Sequence, residues 1–394
     1  MFAGTEREVY VSFDDGDHWQ SLRLNMPATS IRDLIVKDDD LVVATHGRGF
    51  WILNNITPLH QIDPRVAEAD AFLFRPQDAW RVRWNMNTDT PLPPDEPAGQ
   101  NPPDGAITDY ALKSSASGPL TLEILDSAGK LVRRYSSADS AEGPDPATAS
   151  IPLYWYRPPH VLLTTPGMHR FIWDLHYQPL PGGGGRGALP MTAVTHNTAP
   201  APNSSWAAPG EYAVRLTVNG QSYAQPLTVK MDPRVKTPGA GLAYQFALAK
   251  EMYDGALDAQ SALQQLRSIR AQVKQLQERA DQGVASEALA AFDKKAVALE
   301  GSGGGGGRFG GGFDPSGAGG QDTLAGITGL LSMSVGLLQG ADAAPTSQVV
   351  AAVTSSRIAL GSLMARWSEL KGQDLPALNT QLKQANLPPI AVKP

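Results

Sequence analysis

A histidine and an arginine alternate with glycines in the short stretch His46-Gly47-Arg48-Gly49. A guanidinium fork matches the geometry of a carboxylate, so His46 and Arg48 are candidate contacts for an anionic ligand. The structural alternative is that the glycines let strands approach each other closely while Arg48 pairs with a nearby acid. Because one arginine alone makes a weak anion site, the sequence favours the structural interpretation.

Acidic side chains that could cleave a glycosidic bond are present, but the sequence does not pair them. Such hydrolysis generally requires two carboxylates that face each other across the cleaved bond. The candidates are Glu6, Glu8, Asp33 and Asp63, and no spacing singles out two of them. The sequence also lacks a phosphate-binding loop, a zinc-protease helix motif and a serine-hydrolase elbow. We predict no catalytic residue, and the sequence leaves open whether the chain is part of an enzyme.

No metal or cofactor site is predicted. The chain has no cysteine, which excludes disulfides and thiolate–metal sites. His169 and His176 would lie on opposite faces of one strand, because strand side chains alternate. Asp38-Asp39-Asp40 lacks the spacing of a calcium loop and indicates a solvated hairpin turn. The run Tyr154-Trp155-Tyr156 could stack on a sugar ring or a peptide, although packing at an edge strand is the simpler interpretation.

The clearest motif is a turn between two short strand patterns near the amino end. Ser12, Asp14, Gly16 and Trp19 have the spacing Ser-x-Asp-x-Gly-x-x-Trp, which is called an Asp box. A short carboxylate and a serine hydroxyl can accept backbone N–H bonds across such a turn, and glycine can take a positive φ without strain. The tryptophan is expected to fold over the hairpin as an apolar lid. All four positions are therefore predicted to be structural.

The Asp box resembles the repeats of bacterial sialidases and of sortilin-type propellers. The strand pair Leu41–Leu53 is similar to the closing strands of bacterial sortilin-like "glycosyl hydrolase" proteins, except that Asn54-Asn55 stands where an Asp-Asp pair is frequent. The run Gly167–Asp174 is similar to a strand of the immunoglobulin-like modules that follow those propellers. The resemblance implies an extracytoplasmic protein, periplasmic or secreted. It also implies an Asp box at the rim of the propeller, away from any substrate.

Composition limits the classes of partner. The formal net charge is −6, and no basic cluster is interleaved with aromatic residues, so nucleic acid is not expected as a partner. Strand-like residues follow Met1 directly, so no signal peptide is predicted. The longest uncharged run, 323–341, contains several Gly, Ser and Thr residues, and we predict a packed helix there instead of a membrane span.

Short alternating runs predict strands, among them a returning strand at 20–24 after the Asp box and strands at 169–177 and 210–218. The pair Asn219-Gly220 predicts a tight hairpin after the last of these, and the glycine run 182–185 lies in an insertion. Apolar residues at helical spacing predict one buried stripe on a helix, with one slip in phase: Met252, Ala256, Ala259, Leu263, Leu266, Ile269, Val273, Leu276 and Ala280.

Strand and helix patterns predict a mainly β chain with an α-helical carboxyl-terminal part. The resemblance implies partial β-propeller blades at 1–62. The patterns predict a Pro-rich linker at 63–105, an immunoglobulin- or fibronectin-like β-sandwich with flexible insertions at 106–232, and a helical bundle at 238–394 that a Gly-rich linker interrupts at 301–320. A blade needs about 40–45 residues, so 1–62 would supply only about one and a half blades of a ring.

The expected function is that of a non-catalytic, carboxyl-terminal part of an exported Asp-box propeller protein. It would bind a protein, peptide or glycan, and the bundle could mediate self-association. The alternative is a sialidase-like glycoside hydrolase whose catalytic residues lie on upstream blades that this chain does not contain. A third hypothesis assigns recognition to the sandwich. Neither a cofactor nor a metal is predicted.

Overall fold

The computed structural model describes residues 1–83, 102–140, 143, 146–147, 149–181, 192–199, 202–279, 284–301 and 322–392. Strands occupy the amino-terminal part of the chain and helices the carboxyl-terminal part, as the sequence predicts. Contacts between residues divide the chain into two compact units. The first comprises 1–178, 186–200 and 209–234, and the second comprises 179–185, 201–208 and 235–394.

The first six strands form two antiparallel sheets of three strands each. One sheet has the order β1-β2-β3, and the other has the order β4-β5-β6. Their buried residues form one core, which includes Val9, Met26, Leu41, Val43 and Ile56. The strands are β1 (Phe2–Gly4), β2 (Val9–Val11), β3 (Gln20–Ser21), β4 (Ile31–Lys37), β5 (Asp40–Thr45) and β6 (Phe50–Leu53). The returning strand of the Asp-box hairpin is shorter than the predicted 20–24.

The sheet β4-β5-β6 is apolar on both faces. Leu41 and Val43 point into the core, whereas Ile35, Phe50 and Ile52 are 52%, 78% and 55% exposed. Ile35 lies opposite Val42, and Val42 lies opposite Ile52, so these three side chains form one row across the sheet. The exposed face is therefore a continuous apolar surface.

The segment predicted as a linker, 63–105, contains regular structure in its described part. It holds a short helix, α1 (Pro64–Glu68), and two strands, β7 (Ala71–Leu73) and β8 (Ala79–Arg81). Both strands join sheets of the following segment, and Ala71, Leu73 and Ala79 are buried. The linker prediction is corrected here, because strands of three residues are too short to show alternation. The Pro-rich part of the predicted linker falls largely on 84–101, outside the described residues.

The remaining strands belong to two sheets with the orders β11-β10-β13-β14-β8 and β12-β9-β7. All neighbouring strands are antiparallel except β8 and β14, which are parallel. Aromatic rings of the two sheets contact each other: the ring centroids lie 4.6 Å apart for Tyr135–Phe171 and 5.5 Å apart for Trp173–Tyr212. The strands are β9 (Ala106–Leu112), β10 (Thr121–Asp126), β11 (Leu131–Ser136), β12 (Gly167–Trp173), β13 (Gly210–Val218) and β14 (Gln221–Met231).

Two local predictions in these sheets have different outcomes. The Asn219-Gly220 turn joins β13 to β14 with positive φ angles of 49° and 81°, as expected for this pair in a tight hairpin. The strand predicted to run to Tyr177 instead ends at Trp173, because Leu175 takes a left-handed φ of 58°. The glycine run of the predicted insertion, 182–185, lies outside the described residues.

The carboxyl-terminal helices are α2 (Gly239–Gln277), α3 (Val284–Glu300), α4 (Leu324–Leu338), α5 (Ser347–Glu369) and α6 (Leu375–Gln384), and one π-helical turn joins α5 to α6. The predicted apolar stripe on α2 is buried: Met252, Ala256, Ala259, Leu263, Leu266, Ile269, Val273 and Leu276. Ala280 of that stripe and residues 302–320 of the predicted Gly-rich linker lie outside the described residues.

The uncharged run at 323–341 forms α4, in which Leu324, Ile327, Leu331 and Val335 are buried. Among the described residues, one helical stretch, Ser347–Gln384, is long and apolar enough to cross a membrane. In its most apolar window, 17% of the residues are buried.

Candidate functional site

The Asp-box turn is organised by hydrogen bonds from its serine and aspartate. Ser12 is buried, and its hydroxyl accepts the backbone N–H of Gly16 at 2.8 Å and donates to Asp14 Oδ1 at 2.9 Å. Asp14 also accepts the backbone N–H of His18 at 2.9 Å and contacts His18 Nδ1 at 2.6 Å. The backbone bond from His18, followed by its ring, lowers the pKa of Asp14 from 3.8 to about 2. Asp14 therefore stays ionised as a turn-forming acceptor.

The backbone of the turn requires the glycine of the box, whereas the tryptophan covers the hairpin only in part. Gly16 has a φ of +102°, a conformation that side-chain-bearing residues rarely adopt. The Trp19 ring lies beside Gly16, 3.7 Å from where a Cβ on that glycine would stand. Trp19 remains 41% exposed, so it covers the hairpin only in part.

His46 and Arg48 lie on the exposed turn between β5 and β6. His46, Arg48 and Phe50 are all exposed, and Arg48 makes no hydrogen bond or ion pair through its side chain with any described residue. The turn is closed by Thr45, whose backbone N–H and hydroxyl both donate to the Gly49 carbonyl, at 3.1 and 2.7 Å. The indole of Trp51 donates to the Arg48 carbonyl at 3.1 Å.

The two glycines of this turn do not act as the sequence suggested. Gly47 and Gly49 have φ angles of +79° and +69°, and a Cβ at either position would meet nothing within 4 Å. They are needed for a left-handed backbone and not for close approach of strands. The expected local pairing of Arg48 is also not found among the described residues. The structural interpretation of this stretch is corrected in both respects, and Arg48 remains available to a ligand.

The carboxylates considered for hydrolysis are each bonded to a near neighbour. Glu8 accepts hydrogen bonds from Ser21 and from Tyr10, and these bonds lower its pKa. The other contacts are Glu6 with Arg32 at 3.8 Å, Asp33 with the backbone N–H of Leu34 at 2.9 Å, and Asp63 with Arg65 at 2.5 Å.

The other sequence candidates have local structural partners. His169 Nε2 contacts the Thr165 carbonyl at 2.6 Å, and His176 Nδ1 contacts the Asp174 carbonyl at 2.7 Å. Within the described part of the chain, no group of three or more His, Cys, Asp or Glu residues could hold a metal ion. In the aromatic run 154–156, Trp155 and Tyr156 are buried and Tyr154 is 41% exposed.

Sequence reasoning missed a buried polar cluster at the centre of the first unit. Asp109 of β9 is only 3% exposed, and Arg170 of β12 binds it through Nε at 2.8 Å. Asn55 donates to the same carboxylate at 3.0 Å, and the guanidinium of Arg170 donates to the carbonyls of Asn54 and Asn55. Burial raises the pKa of Asp109 against the opposing effect of Arg170. The signal was an aspartate within the mostly apolar strand pattern 106–112.

The Asn54-Asn55 pair therefore joins the amino-terminal sheets to the sheet β12-β9-β7. Asn55 has a positive φ of 62°, and its backbone N–H donates to Asp40 at 2.8 Å. An asparagine tolerates this backbone and also supplies an amide donor that an aspartate would lack. The amide of Asn55 thus has a structural role at the buried carboxylate of Asp109.

No protein-family model matches the chain, and no curated protein is similar to it in sequence.

Proposed function

We propose that residues 1–62 are blade strands of an Asp-box β-propeller and that this chain is a non-catalytic binding part of an exported protein. The hydrogen bonds of Ser12 and Asp14 support the Asp box, because they use the motif positions for turn formation. The sheet β4-β5-β6 supports the propeller, because a blade packs on a neighbour through each face and the row Ile35–Val42–Ile52 makes its outer face apolar, while Phe50 lies at the turn end of that face. The extracytoplasmic location belongs to the same proposal.

The proposal assigns the strands from β7 to β14 to an immunoglobulin-like sandwich. Its support is the strand order: β12-β9-β7 and β11-β10-β13-β14-β8 are two sheets, and their aromatic side chains meet between them. The two short strands that precede β9 belong to different sheets: β7 pairs with β9, and β8 pairs with β14. Such folds present loops at the ends of two packed sheets. In this chain the sandwich serves as the support for the amino-terminal strands.

The binding site that we propose is the turn between β5 and β6. The observation that carries it is an exposed Arg48 without a side-chain partner among the described residues, on the same turn as the 78% exposed ring of Phe50. A guanidinium binds a carboxylate through two parallel hydrogen bonds, and an aromatic face stacks on a sugar ring or an apolar side chain. The matching ligand is a glycan or peptide that carries a carboxylate beside an apolar surface.

Arrays of carboxylate-bearing glycans and acidic peptides test this proposal. The full chain is expected to bind a subset of these probes. Arg48→Ala is expected to weaken that binding by roughly tenfold through the loss of a charge-assisted contact, and Phe50→Ala is expected to weaken it through the loss of stacking. Arg134→Ala is the matched control, because Arg134 is another exposed arginine on a strand of the same unit.

Two results would contradict the proposal. Arg48→Ala could bind every probe as well as the unmodified chain does, which would remove the turn from the site. The chain could also hydrolyse aryl glycosides in a way that Arg48→Ala abolishes, which would make the site catalytic. Deletion of 1–62 is a poor test, because Arg170 bonds to the carbonyls of Asn54 and Asn55 and the deletion would disturb the rest of the unit.

A further inference from the structure

A groove of about 390 Å³ runs between α3 and α6 in the second unit. Six of its ten lining residues are apolar, and three of these six are alanines, beside which a helix backbone could approach closely. The apolar lining residues are Val284, Ala288, Ala291, Phe292, Ala377 and Leu378, and the polar ones are Glu287, Lys295, Asp374 and Gln381.

The α3 side of the groove is one face of the helix. Val284, Ala288, Ala291 and Lys295 recur at spacings of three and four residues, which aligns them along the helix axis. Ala291 is exposed at the middle of this face, and Val284 is 74% exposed at its beginning. The helix thus presents small residues at its centre and a larger apolar residue near one end.

The charges on this face are arranged symmetrically about Ala291. Glu287 lies about one turn before it, and Lys295 lies about one turn after it. Glu287 makes no ion pair with a described residue, whereas Lys295 contacts Asp374 at 2.8 Å with its side chain 61% exposed. An ammonium carries three donors, so Lys295 can bind a second carboxylate while it keeps Asp374.

This pattern is complementary to an antiparallel copy of itself. In a twofold arrangement about Ala291, each Glu287 lies beside the partner's Lys295, and the small residues meet at the axis. A parallel arrangement would instead place like charges together. The charge order therefore distinguishes a second copy of this chain from an arbitrary helix as the occupant of the groove.

We propose that the chain forms a symmetric dimer in which α3 of each copy lies antiparallel in the groove between α3 and α6 of the other. One helix face supplies most of the contact, so the dimer is expected to be weak and to depend on protein concentration. Salt is expected to weaken it further, because Glu287 is exposed and the side chain of Lys295 is 61% exposed. This proposal does not depend on the binding function of the β5–β6 turn.

Sedimentation of the full chain from about 5 to 200 µM measures the dimer directly, a range suited to weak interfaces. Glu287→Lys is expected to raise the dissociation constant about tenfold, because it places two lysines together at each pair. The double variant Glu287→Lys with Lys295→Glu is expected to return most of the affinity. Lys294→Glu is the control, since Lys294 is exposed on α3 but does not line the groove.

A second disruptive variant keeps the test decisive if the charge exchange disturbs the Lys295–Asp374 pair. Ala291→Glu places two carboxylates on the twofold axis at an exposed position, so it is expected to abolish the dimer while helical circular dichroism is retained. A chain that is monomeric over the whole range would overturn the proposal. So would a dimer whose dissociation constant neither Glu287→Lys nor Ala291→Glu changes.

Discussion

At the scale of single residues, the Asp-box aspartate is an acceptor that holds a turn together. Asp14 accepts the backbone N–H of His18 and contacts its ring, and the hydroxyl of Ser12 donates to it. The contact with the His18 ring and the bond from Ser12 to Asp14 were not foreseen, whereas the bond from a backbone N–H to Asp14 was predictable from the sequence because it spans only a few residues. The turn 46–50 was not, because the same glycine spacing fits either a close strand approach or a left-handed backbone.

Replacement of Asp14 by asparagine is predicted to lower the free energy of unfolding at pH 6, because the ionised carboxylate accepts more strongly than an amide. The folded pKa is about 2, below the ordinary value of 3.8. The stabilisation by the ionised carboxylate is therefore complete above pH 4 and is lost as the pH falls towards 2. The two unfolding curves should converge over that range.

Urea unfolding of the two proteins at several pH values measures this convergence. Asp17→Asn is the matched control, since Asp17 is an exposed aspartate of the same turn. A difference between wild type and Asp14→Asn that stays constant from pH 6 to pH 2 would show that the charge of Asp14 does not contribute.

At the scale of elements, the packing of β1 against β4 depends on a glycine. A Cβ on Gly4 would lie 2.6 Å from Cγ2 of Ile31 and 3.2 Å from Cδ2 of Leu34. Gly4→Ala is therefore predicted to cost roughly 1 kcal/mol in unfolding free energy, since the branched side chain of Ile31 must move. Gly118→Ala is the control, because a Cβ there meets nothing within 4 Å. Equal unfolding free energies for the two variants would contradict this packing.

Among the polar residues that connect different strands, the buried Asp109 is predicted to be the one whose substitution lowers the free energy of unfolding most. Asp109→Ala leaves the guanidinium of Arg170 and the amide of Asn55 without their acceptor. The expected cost is about 3 kcal/mol, as for a buried ion pair that loses one member. Denaturant unfolding measures it, with Arg65→Ala, a member of an exposed pair, as a control expected to unfold like wild type. Wild-type stability of Asp109→Ala would refute the assigned role.

Helices and strands with a clear hydrophobic period were predicted from the sequence. Very short strands and contacts between residues far apart in the chain were not. The buried stripe of α2 repeats over seven turns, and β13 was predicted with its observed bounds, Gly210–Val218. The strands β7 and β8 escaped prediction because three residues are too few to show alternation. The contact of Asn55 with Asp109 was hidden for a different reason, because it spans 54 residues.

At the scale of the whole molecule, strands in the amino-terminal part and helices in the carboxyl-terminal part follow from composition and pattern. The division into compact units does not follow from composition and pattern, because it groups residues 1–62 with the sheets that come after them. The order of strands within a sheet is set by contacts between distant residues, which alternation along a single strand does not encode. The assignment of function consequently depends on exposed side chains, above all on Arg48 and Phe50.

The most direct test is a titration of the full chain with the strongest carboxylate-bearing probe from the arrays, at low and at high ionic strength. The affinity is expected to fall with salt, to be roughly tenfold lower for Arg48→Ala at low salt, and to be unchanged for Arg134→Ala. Equal affinity of the wild-type chain and Arg48→Ala at both ionic strengths would contradict a binding function at the β5–β6 turn.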